Sequence, residues 1–234
     1  NKIMKYMGSK NRIAKEILPI MLKERGGRTW VEPFVGGANM IDKVEGKRIG
    51  ADLNEYLIDA LISIRDCLFD LPKNNIEFTE SDYKELRKTD NYKYKGYAGF
   101  AFSYSGKWLG GWCRDGLNKR DYVNESYKNA LNQSSNLKGI EFINESYSDL
   151  QIPDNSLIYC DPPYEGTTSY KDGFNHKDFW QWCREKAKEG HIIYVSEYNA
   201  PNDFTCVWQK EVSSSLTKDT GSKKAIEKLF KYSL

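Results

Sequence analysis

The chain has 234 residues, of which 39% are hydrophobic, 14% aromatic and 29% charged, and its formal net charge is only +2. This length suits one sizeable domain or a core domain with a smaller insert, and the mean hydropathy of −0.71 indicates a soluble protein. No apolar run reaches the roughly 18 residues that a membrane span needs, so no membrane partner is expected. The five scattered cysteines exclude a disulfide framework and, without any signal-peptide pattern, predict a cytoplasmic protein.

Helices and strands are predicted to alternate along the chain, with one interruption. From about residue 72 to 135 the sequence is polar and rich in glycine and aromatic residues, without a clear period. The remaining elements, in chain order, are a helix at 11–24 bent at Pro19, strands at 29–32 and 48–52, a helix capped by Asn54, strands at 141–143 and 157–160, a helix at 176–189, and strands at 192–196, 205–208 and 229–232. This pattern predicts an α/β fold with a Rossmann-like sheet and a smaller inserted region.

The stretch WVEPFVGGANM, residues 30–40, places a Gly-Gly turn directly after a strand. Glycine allows a ligand to approach the backbone closely, yet neither phosphate-binding glycine motif is present. Twenty residues after Glu32, Asp52 ends the second strand, where a carboxylate can bind the two hydroxyls of a ribose. Together these features indicate a nucleoside cofactor without phosphates, S-adenosylmethionine. The predicted cofactor-binding residues are Glu32, Phe34, Gly36, Gly37 and Asp52.

The stretch LIYCDPPYEGT, residues 157–167, follows the apolar strand at 157–160 with an acid, two prolines and an aromatic residue. Ligands bind at the carboxyl ends of strands in open α/β sheets, so this stretch predicts a functional site there. Asp-Pro-Pro is also ordinary turn chemistry, and a structural turn is the alternative. Cys160 precedes the acid on the strand, where an inert core thiol is the expected role.

Four segments then occur in a fixed order: KYMGSK (5–10), EPFVGGANM (32–40), ADLNEYLI (51–58) and DPPY (161–164). In this order and spacing the chain resembles the Dam-type, alpha-group family of N6-adenine DNA methyltransferases. The resemblance covers the chain outside about 72–135. It implies a catalytic domain formed by residues 1–71 and 136–234, with residues 72–135 as an inserted region that recognises the DNA target.

The resemblance also implies roles for individual residues. Tyr6 and Lys10 would contact the cofactor, Asp52 would bind its ribose, and Asp161 would be both catalytic and close to the cofactor. At the end of the strand 192–196 and just after it, three residues match more loosely a family motif that lines the target-base pocket: Ser196, Glu197 and Tyr198.

The chemistry of adenine methylation explains the DPPY segment. The N6 lone pair is delocalised into the ring, and hydrogen bonds accepted by the Asp161 carboxylate and the Pro162 carbonyl would localise it. Tyr164 offers a face on which an extruded base can stack. The expected catalytic residues are therefore Asp161, Pro162 and Tyr164, and this reaction requires neither a metal nor a covalent intermediate.

The insert mixes basic and aromatic residues, a composition that suits phosphate contacts and base stacking on double-stranded DNA. Residues 97–116 read as a glycine-hinged ribbon or loop that enters a groove, with four DNA-binding candidates: Tyr104, Lys107, Trp108 and Arg114. The family's common target is GATC. Its usual Arg-Tyr-Asn cluster and Gly-x-Phe-Asn-Val-Pro stretch are not intact here, so the target sequence stays open.

Three alternatives remain open from the sequence. N4-cytosine methylation presents a similar amine, although Asp at position 161 favours adenine over it. A DNA- or cofactor-binding protein that has lost turnover would keep the same fold. A methyltransferase acting on amines of protein or RNA is the third alternative. No obligate protein partner is evident.

Overall fold

This computed structural model describes residues 10–166, 173–214 and 223–233. Over these residues the strands form one seven-stranded sheet. The strands are β1 (Thr29–Glu32), β2 (Arg48–Asp52), β3 (Ile140–Asn144), β4 (Ser156–Cys160), β5 (Ile192–Ser196), β6 (Phe204–Ser214) and β7 (Lys223–Tyr232). Their order across the sheet is β3-β2-β1-β4-β5-β7-β6.

The first five strands are parallel, and β6 and β7 form an antiparallel hairpin beside β5. The chain moves outward from β1 to β3 and then returns to place β4 on the other side of β1. The strand order therefore reverses between β1 and β4, and this switch point is where open α/β sheets bind ligands. Every residue of β4 is buried, as expected for a parallel strand that is covered on both faces.

Helices cover both faces of the sheet. They are α1 (Asn11–Arg25), α2 (Glu55–Asp66), α3 (Glu80–Glu85), α4 (Lys95–Ala101), α5 (Tyr122–Leu137) and α6 (His176–Lys188). Successive β1 residues enter different cores: Trp30 packs with α1, α2, α4 and α5, whereas Val31 packs with α6. The predicted Rossmann-like α/β fold is confirmed. Within the described residues no helix is long and apolar enough to cross a membrane.

Local sequence accounts for where the helices begin. The side chain of Asn54 accepts hydrogen bonds from the backbone amides of Tyr56 and Leu57, so it caps α2 as predicted. Asn175 caps α6 through the amide of Asp178. Because both caps follow the carboxyl end of a strand, each fixes where the chain turns away from the edge of the sheet that carries the ligand site.

The predicted insert at 72–135 contains α3, α4 and most of α5. Its predicted boundary at residue 135 falls inside α5, and this helix contributes Val123, Ala130 and Leu137 to the core shared with α2. The end of the insert is therefore continuous with the helical layer that covers the sheet.

The predicted ribbon at 97–116 is wrong for its first part, because residues 97–101 belong to α4, whose side chains are buried. Gly96 explains why a helix fits there: a Cβ at this position would collide with the backbone carbonyl of Tyr56 on α2, so glycine allows close helix packing. A loop follows α4, closed by an isolated antiparallel bridge between Ser103 and Trp112.

Candidate active site

A cavity of about 320 Å³ lies at the carboxyl ends of β1, β2 and β4. Its lining includes Lys10, Glu32, Phe34, Gly36, Gly37, Asp52, Leu53, Tyr147, Asp161, Pro163 and Phe174. It therefore occupies the switch point of the sheet, where the topology predicts a ligand site.

Asp52 is fixed at the end of β2 by backbone donors. Its two carboxylate oxygens accept hydrogen bonds from the amide of Gly36 at 3.1 Å and from the amide of Asn54 at 3.0 Å. Burial raises the pKa of Asp52, and these backbone donors oppose that rise. Gly36 has a φ of +54°, a conformation that favours glycine, so the turn after β1 can aim its amide at the carboxylate.

The lining fits S-adenosylmethionine. Asp52 offers an anionic acceptor for a ribose diol, and an apolar wall of Phe34, Leu53, Tyr147 and Phe174 suits an adenine ring. Three acids line the cavity, and Lys10 is the only basic lining residue within the described part of the chain. A cavity of this charge suits a cationic cofactor that lacks phosphates.

Glu32 ends β1 beneath the cavity and is only 2% exposed. One of its carboxylate oxygens accepts a hydrogen bond of 2.7 Å from the indole nitrogen of Trp30. Burial raises the pKa of Glu32 well above its usual range, and the nearby carboxylates of Asp42 and Asp161 add to that rise.

Asp161 follows β4 directly and shares the cation of Lys10 with a second acid. The Lys10 Nζ lies 3.7 Å from Asp161 Oδ1 and 3.3 Å from Glu227 Oε2. Burial raises the pKa of Asp161 to about 6, although the Lys10 ammonium lowers it. Burial opposes the charge of Lys10, but the Asp161 and Glu227 carboxylates raise its pKa overall.

Tyr164 packs against the same cation. The Lys10 Nζ lies 4.2 Å from the centre of the Tyr164 ring, and the Tyr164 hydroxyl donates to Glu227 Oε2 at 3.3 Å. Tyr198 meets the ring edge-on, with 4.6 Å between the ring centres. Pro162, between the acid and the tyrosine, is buried.

Glu197 holds the backbone after DPPY in place. Its carboxylate, 1% exposed, accepts hydrogen bonds from the amides of Glu165 and Tyr198 at 3.2 and 2.7 Å. Burial raises the pKa of Glu197 despite these donors. The His176 Nε2 lies 2.7 Å from the Pro163 carbonyl oxygen and 3.6 Å from Glu197, so the start of α6 is tied to the same loop. Ser196 bonds to the Tyr159 hydroxyl at 2.7 Å.

The cavity therefore brings together every described residue predicted to bind the cofactor, whereas Tyr6 lies outside the described residues. The predicted DNA-binding residues lie away from it. Tyr104 and Lys107 are exposed, and Arg114 forms an ion pair with Glu80. Trp108 instead stacks on Tyr56, with 4.3 Å between ring centres, which is a packing role.

Sequence reasoning missed several residues of the site. Glu227 is the single acid of β7, where pairs of charged and apolar residues follow one another, so no local pattern marks it. The apolar wall comes from separate segments, and only tertiary structure brings Leu53, Tyr147 and Phe174 together. Gln133 on α5 was also missed; its side-chain amide donates to the Gly37 carbonyl at 3.0 Å.

A glycine turn after β1, an acid after β2 and DPPY after β4, all at one cavity, define an S-adenosylmethionine-dependent methyltransferase. The family model of the D12 class N6 adenine-specific DNA methyltransferases matches residues 6–103 and 114–220. The chain belongs to this family. The family, the enzyme class, adenine as the methylated base and S-adenosylmethionine as the methyl donor, all predicted from the sequence, are confirmed, and DNA is the substrate class.

Curated relatives agree with this assignment. The chain is 30% identical to the Retron Ec67 DNA adenine methylase of Escherichia coli, covering 83% of this chain and 76% of that protein. It is 29% identical to the type II methyltransferase M.MjaIII of Methanocaldococcus jannaschii, covering 84% of each. The type II methyltransferase M.FokI of Planomicrobium okeanokoites is 25% identical over 77% of this chain, which spans about a third (31%) of that protein.

A solved structure, that of SMU.472 in complex with SAH, matches 95% of this chain and 52% of its own chain at 9% identity. Its TM-score is 0.36. The family assignment rests on the sequence matches.

Proposed function

We propose that this chain transfers a methyl group to N6 of an adenine extruded from double-stranded DNA, with Asp161, Pro162 and Tyr164 as its catalytic residues. The observation that carries the proposal is that Asp161 and Asp52 line one cavity at the switch point of the sheet. The same cavity thus holds Asp52, which suits binding of the methyl donor, and Asp161, which suits binding of the amine that accepts the methyl group.

The cofactor is held by residues from three strand ends. Asp52 would accept hydrogen bonds from the ribose hydroxyls, and Phe34 and Leu53, which line the same cavity, would pack against the adenine ring. Gly36 and Gly37 keep the backbone close to the ligand, and Lys10 and Tyr6 complete the set that the family resemblance implies. When bound, S-adenosylmethionine supplies an electrophilic methyl group on a sulfonium.

Asp161 and Pro162 prepare the amine. The Asp161 carboxylate accepts one hydrogen of the adenine N6 amino group and the Pro162 carbonyl accepts the other, so the nitrogen lone pair is localised for attack. As the bond from N6 to the methyl carbon forms, the bond from that carbon to sulfur would break and release S-adenosylhomocysteine. The nitrogen then becomes acidic and Asp161 accepts its proton. Alignment of the two reacting groups supplies much of the rate gain.

Tyr164 supports the extruded base. Lys10 lies over its ring and Tyr198 meets its edge, and these contacts set the orientation of the ring for stacking on adenine. Stacking is worth about 1–3 kcal/mol per base in other proteins that bind unpaired bases.

The rest of the duplex is bound by the insert. Tyr104 and Lys107 are the exposed candidates for DNA contacts, and Arg114 is available if its pair with Glu80 exchanges for a phosphate. The packing of Trp108 on Tyr56 is a reason to leave it out of this set. We place the enzyme in the cytoplasm because its five cysteines form no disulfide, which suits a reducing compartment. We also propose that it acts without an obligate protein partner.

The product nucleoside tests this proposal. Purified protein is incubated with unmethylated double-stranded DNA and S-adenosylmethionine carrying a labelled methyl group, and the DNA is digested to nucleosides. The label is expected in N6-methyldeoxyadenosine. Label in N4-methyldeoxycytidine, or in added protein or RNA instead of DNA, would contradict it. Premethylated DNA is the control and is expected to take up little label.

A further inference from the structure

Glu227 belongs to the active site although no motif marks it. It lies on β7, beyond the residues 6–103 and 114–220 that match the family. Its side chain is 15% exposed, and a single carboxylate oxygen accepts from both Lys10 Nζ and the Tyr164 hydroxyl, each at 3.3 Å. The C-terminal hairpin therefore reaches the DPPY segment through one acid.

Lys10 stands between two carboxylates. Its ammonium is nearer to Glu227, at 3.3 Å, than to Asp161, at 3.7 Å. The Lys10 side chain is only 12% exposed, so water screens these interactions little. Without the charge of Glu227, Asp161 would be the one carboxylate left in an ion pair with the ammonium among the described residues, and that pair would tighten.

A tighter pair would compete with the reaction. In its proposed role, Asp161 accepts a hydrogen bond from the adenine amino group through a carboxylate oxygen. An ammonium bound to that oxygen would displace the amino group. Glu227 also fixes the Tyr164 hydroxyl and therefore the tilt of the ring on which the base stacks.

We infer that Glu227 is a positioning residue for methyl transfer: it draws Lys10 away from Asp161 and sets the orientation of Tyr164. This inference rests on the proposed function. Glu227 acts through two other side chains and does not itself hold the reacting amine.

The titratable groups around Asp161 come from every element packed at this point. They are Lys10 before α1, Glu32 on β1, Tyr159 and Tyr164 on and after β4, Glu197 and Tyr198 after β5, and Glu227 on β7. Burial is the main cause that raises the pKa of Asp161; Lys10 lowers this pKa and Glu227 raises it. Neutralising Glu227 is therefore expected to lower the pKa of Asp161 from about 6.

The hairpin has other attachments, so a change at Glu227 can be separated from unfolding. Lys210, opposite Glu227 in the strand pair, forms an ion pair of 2.8 Å with Glu16 on α1. Glu211 on the same hairpin forms an exposed pair of 3.3 Å with Lys224. Glu211→Gln therefore removes a charge of the same sign from the same hairpin without touching the site.

The experiment compares wild type, Glu227→Gln, Glu227→Ala and the control Glu211→Gln. The first readout is a carboxyl NMR titration of protein labelled with ¹³C at aspartate, with the Asp161 signal assigned from Asp161→Asn; it needs no turnover. The second is steady-state methylation of unmethylated DNA, giving kcat, the KM for S-adenosylmethionine and the pH profile. Thermal unfolding checks the fold of each variant.

For Glu227→Gln we expect a lower titration midpoint for Asp161, and the loss of kcat at acidic pH should begin at a lower pH than in wild type. We also expect kcat to fall about 10-fold with little change in the KM for S-adenosylmethionine. Glu227→Ala, which also removes the Glu227 acceptor of the Tyr164 hydroxyl, should lose more. Glu211→Gln should match wild type in all three measurements.

An unchanged Asp161 midpoint in Glu227→Gln would overturn the inference, whatever the activity. If the wild-type enzyme methylates DNA and Glu227→Gln has the same kcat, the positioning role of Glu227 is also overturned. The proposed function then still holds. A wild-type protein that does not methylate DNA would overturn the proposed function and this role together.

Discussion

The backbone amide of Gly36 donates a hydrogen bond of 3.1 Å to the carboxylate of Asp52. This bond joins the turn after β1 to the end of β2, so the two predicted parts of the cofactor site form one unit. The amide of Asn54 holds the other oxygen of the same carboxylate at 3.0 Å. The acid is therefore oriented before any ligand binds, which reduces the entropic cost of binding.

Asp52→Ala should weaken cofactor binding. The substitution removes an anionic acceptor for the ribose, and hydrogen bonds to charged groups contribute about 1.5–3 kcal/mol each, which corresponds to a loss of about 10- to 100-fold in affinity. Titration calorimetry with S-adenosylhomocysteine measures it. Asp59→Ala, an exposed acid on α2, is the matched control. If wild type and Asp52→Ala bound S-adenosylhomocysteine with equal affinity, Asp52 would not bind the ribose.

Gln133→Leu should weaken cofactor binding indirectly. Gln133 is fully buried on α5 and donates to the Gly37 carbonyl at 3.0 Å, so leucine would leave that carbonyl without this donor and loosen the glycine turn. We expect a loss of about 1–3 kcal/mol in the free energy of unfolding and a several-fold rise in the dissociation constant for S-adenosylhomocysteine.

Denaturant unfolding and calorimetry measure the two effects of the Gln133 substitution. Asn132→Ala, an exposed neighbour on the same helix, is the control and should change neither. If Gln133→Leu lost stability but kept full cofactor affinity, α5 would support the fold without supporting the site.

Methylation should depend on pH through Asp161. Burial raises the pKa of Asp161 from its usual 3.8 to about 6. Its protonated form cannot act as the proposed acceptor, so kcat should be full well above pH 6 and should fall tenfold per pH unit below it. A pH series of kcat at saturating substrates checks this. A rate that stayed constant down to pH 4.5 would show that the ionised Asp161 is not needed.

Lys107→Ala should weaken DNA binding without affecting the cofactor. Lys107 is exposed in the loop after α4, and loss of one phosphate contact should reduce affinity for all sequences and lower the salt slope by about 1. Fluorescence anisotropy at several salt concentrations measures both quantities. Lys188→Ala, exposed on α6, is the control. An unchanged salt slope for Lys107→Ala would show that Lys107 does not contact a DNA phosphate.

The sequence was sufficient to predict most of the sheet and the cofactor side of the site. The five parallel strands are short, with four or five residues each, and the Gly-Gly turn, Asp52 and Asp161 each lie at or just after the carboxyl end of one of them. Local pattern and topology together therefore place them at one edge of the sheet, where the cavity lies.

Features that depend on tertiary contacts could not be predicted in the same way. The glycines of residues 97–116 favour a hinged ribbon or loop on sequence alone, whereas residues 97–101 belong to α4, which packs closely on Tyr56 at Gly96. Glu227 is one acid in a strand that also carries several lysines, and only the fold brings it within 3.3 Å of Lys10, more than two hundred residues away. Neither contact leaves a local pattern in the sequence.

The most direct test of Asp161 as the catalytic acid compares wild type with Asp161→Asn on the same unmethylated genomic DNA. Single-molecule sequencing maps the modified positions. We expect N6-methyladenine in one short motif with wild type, and a loss of at least about 100-fold with Asp161→Asn at comparable affinity for S-adenosylhomocysteine and DNA. N6-methyladenine formed at equal rates by both proteins would contradict the assignment of Asp161, and no N6-methyladenine with wild type would contradict the proposed function itself.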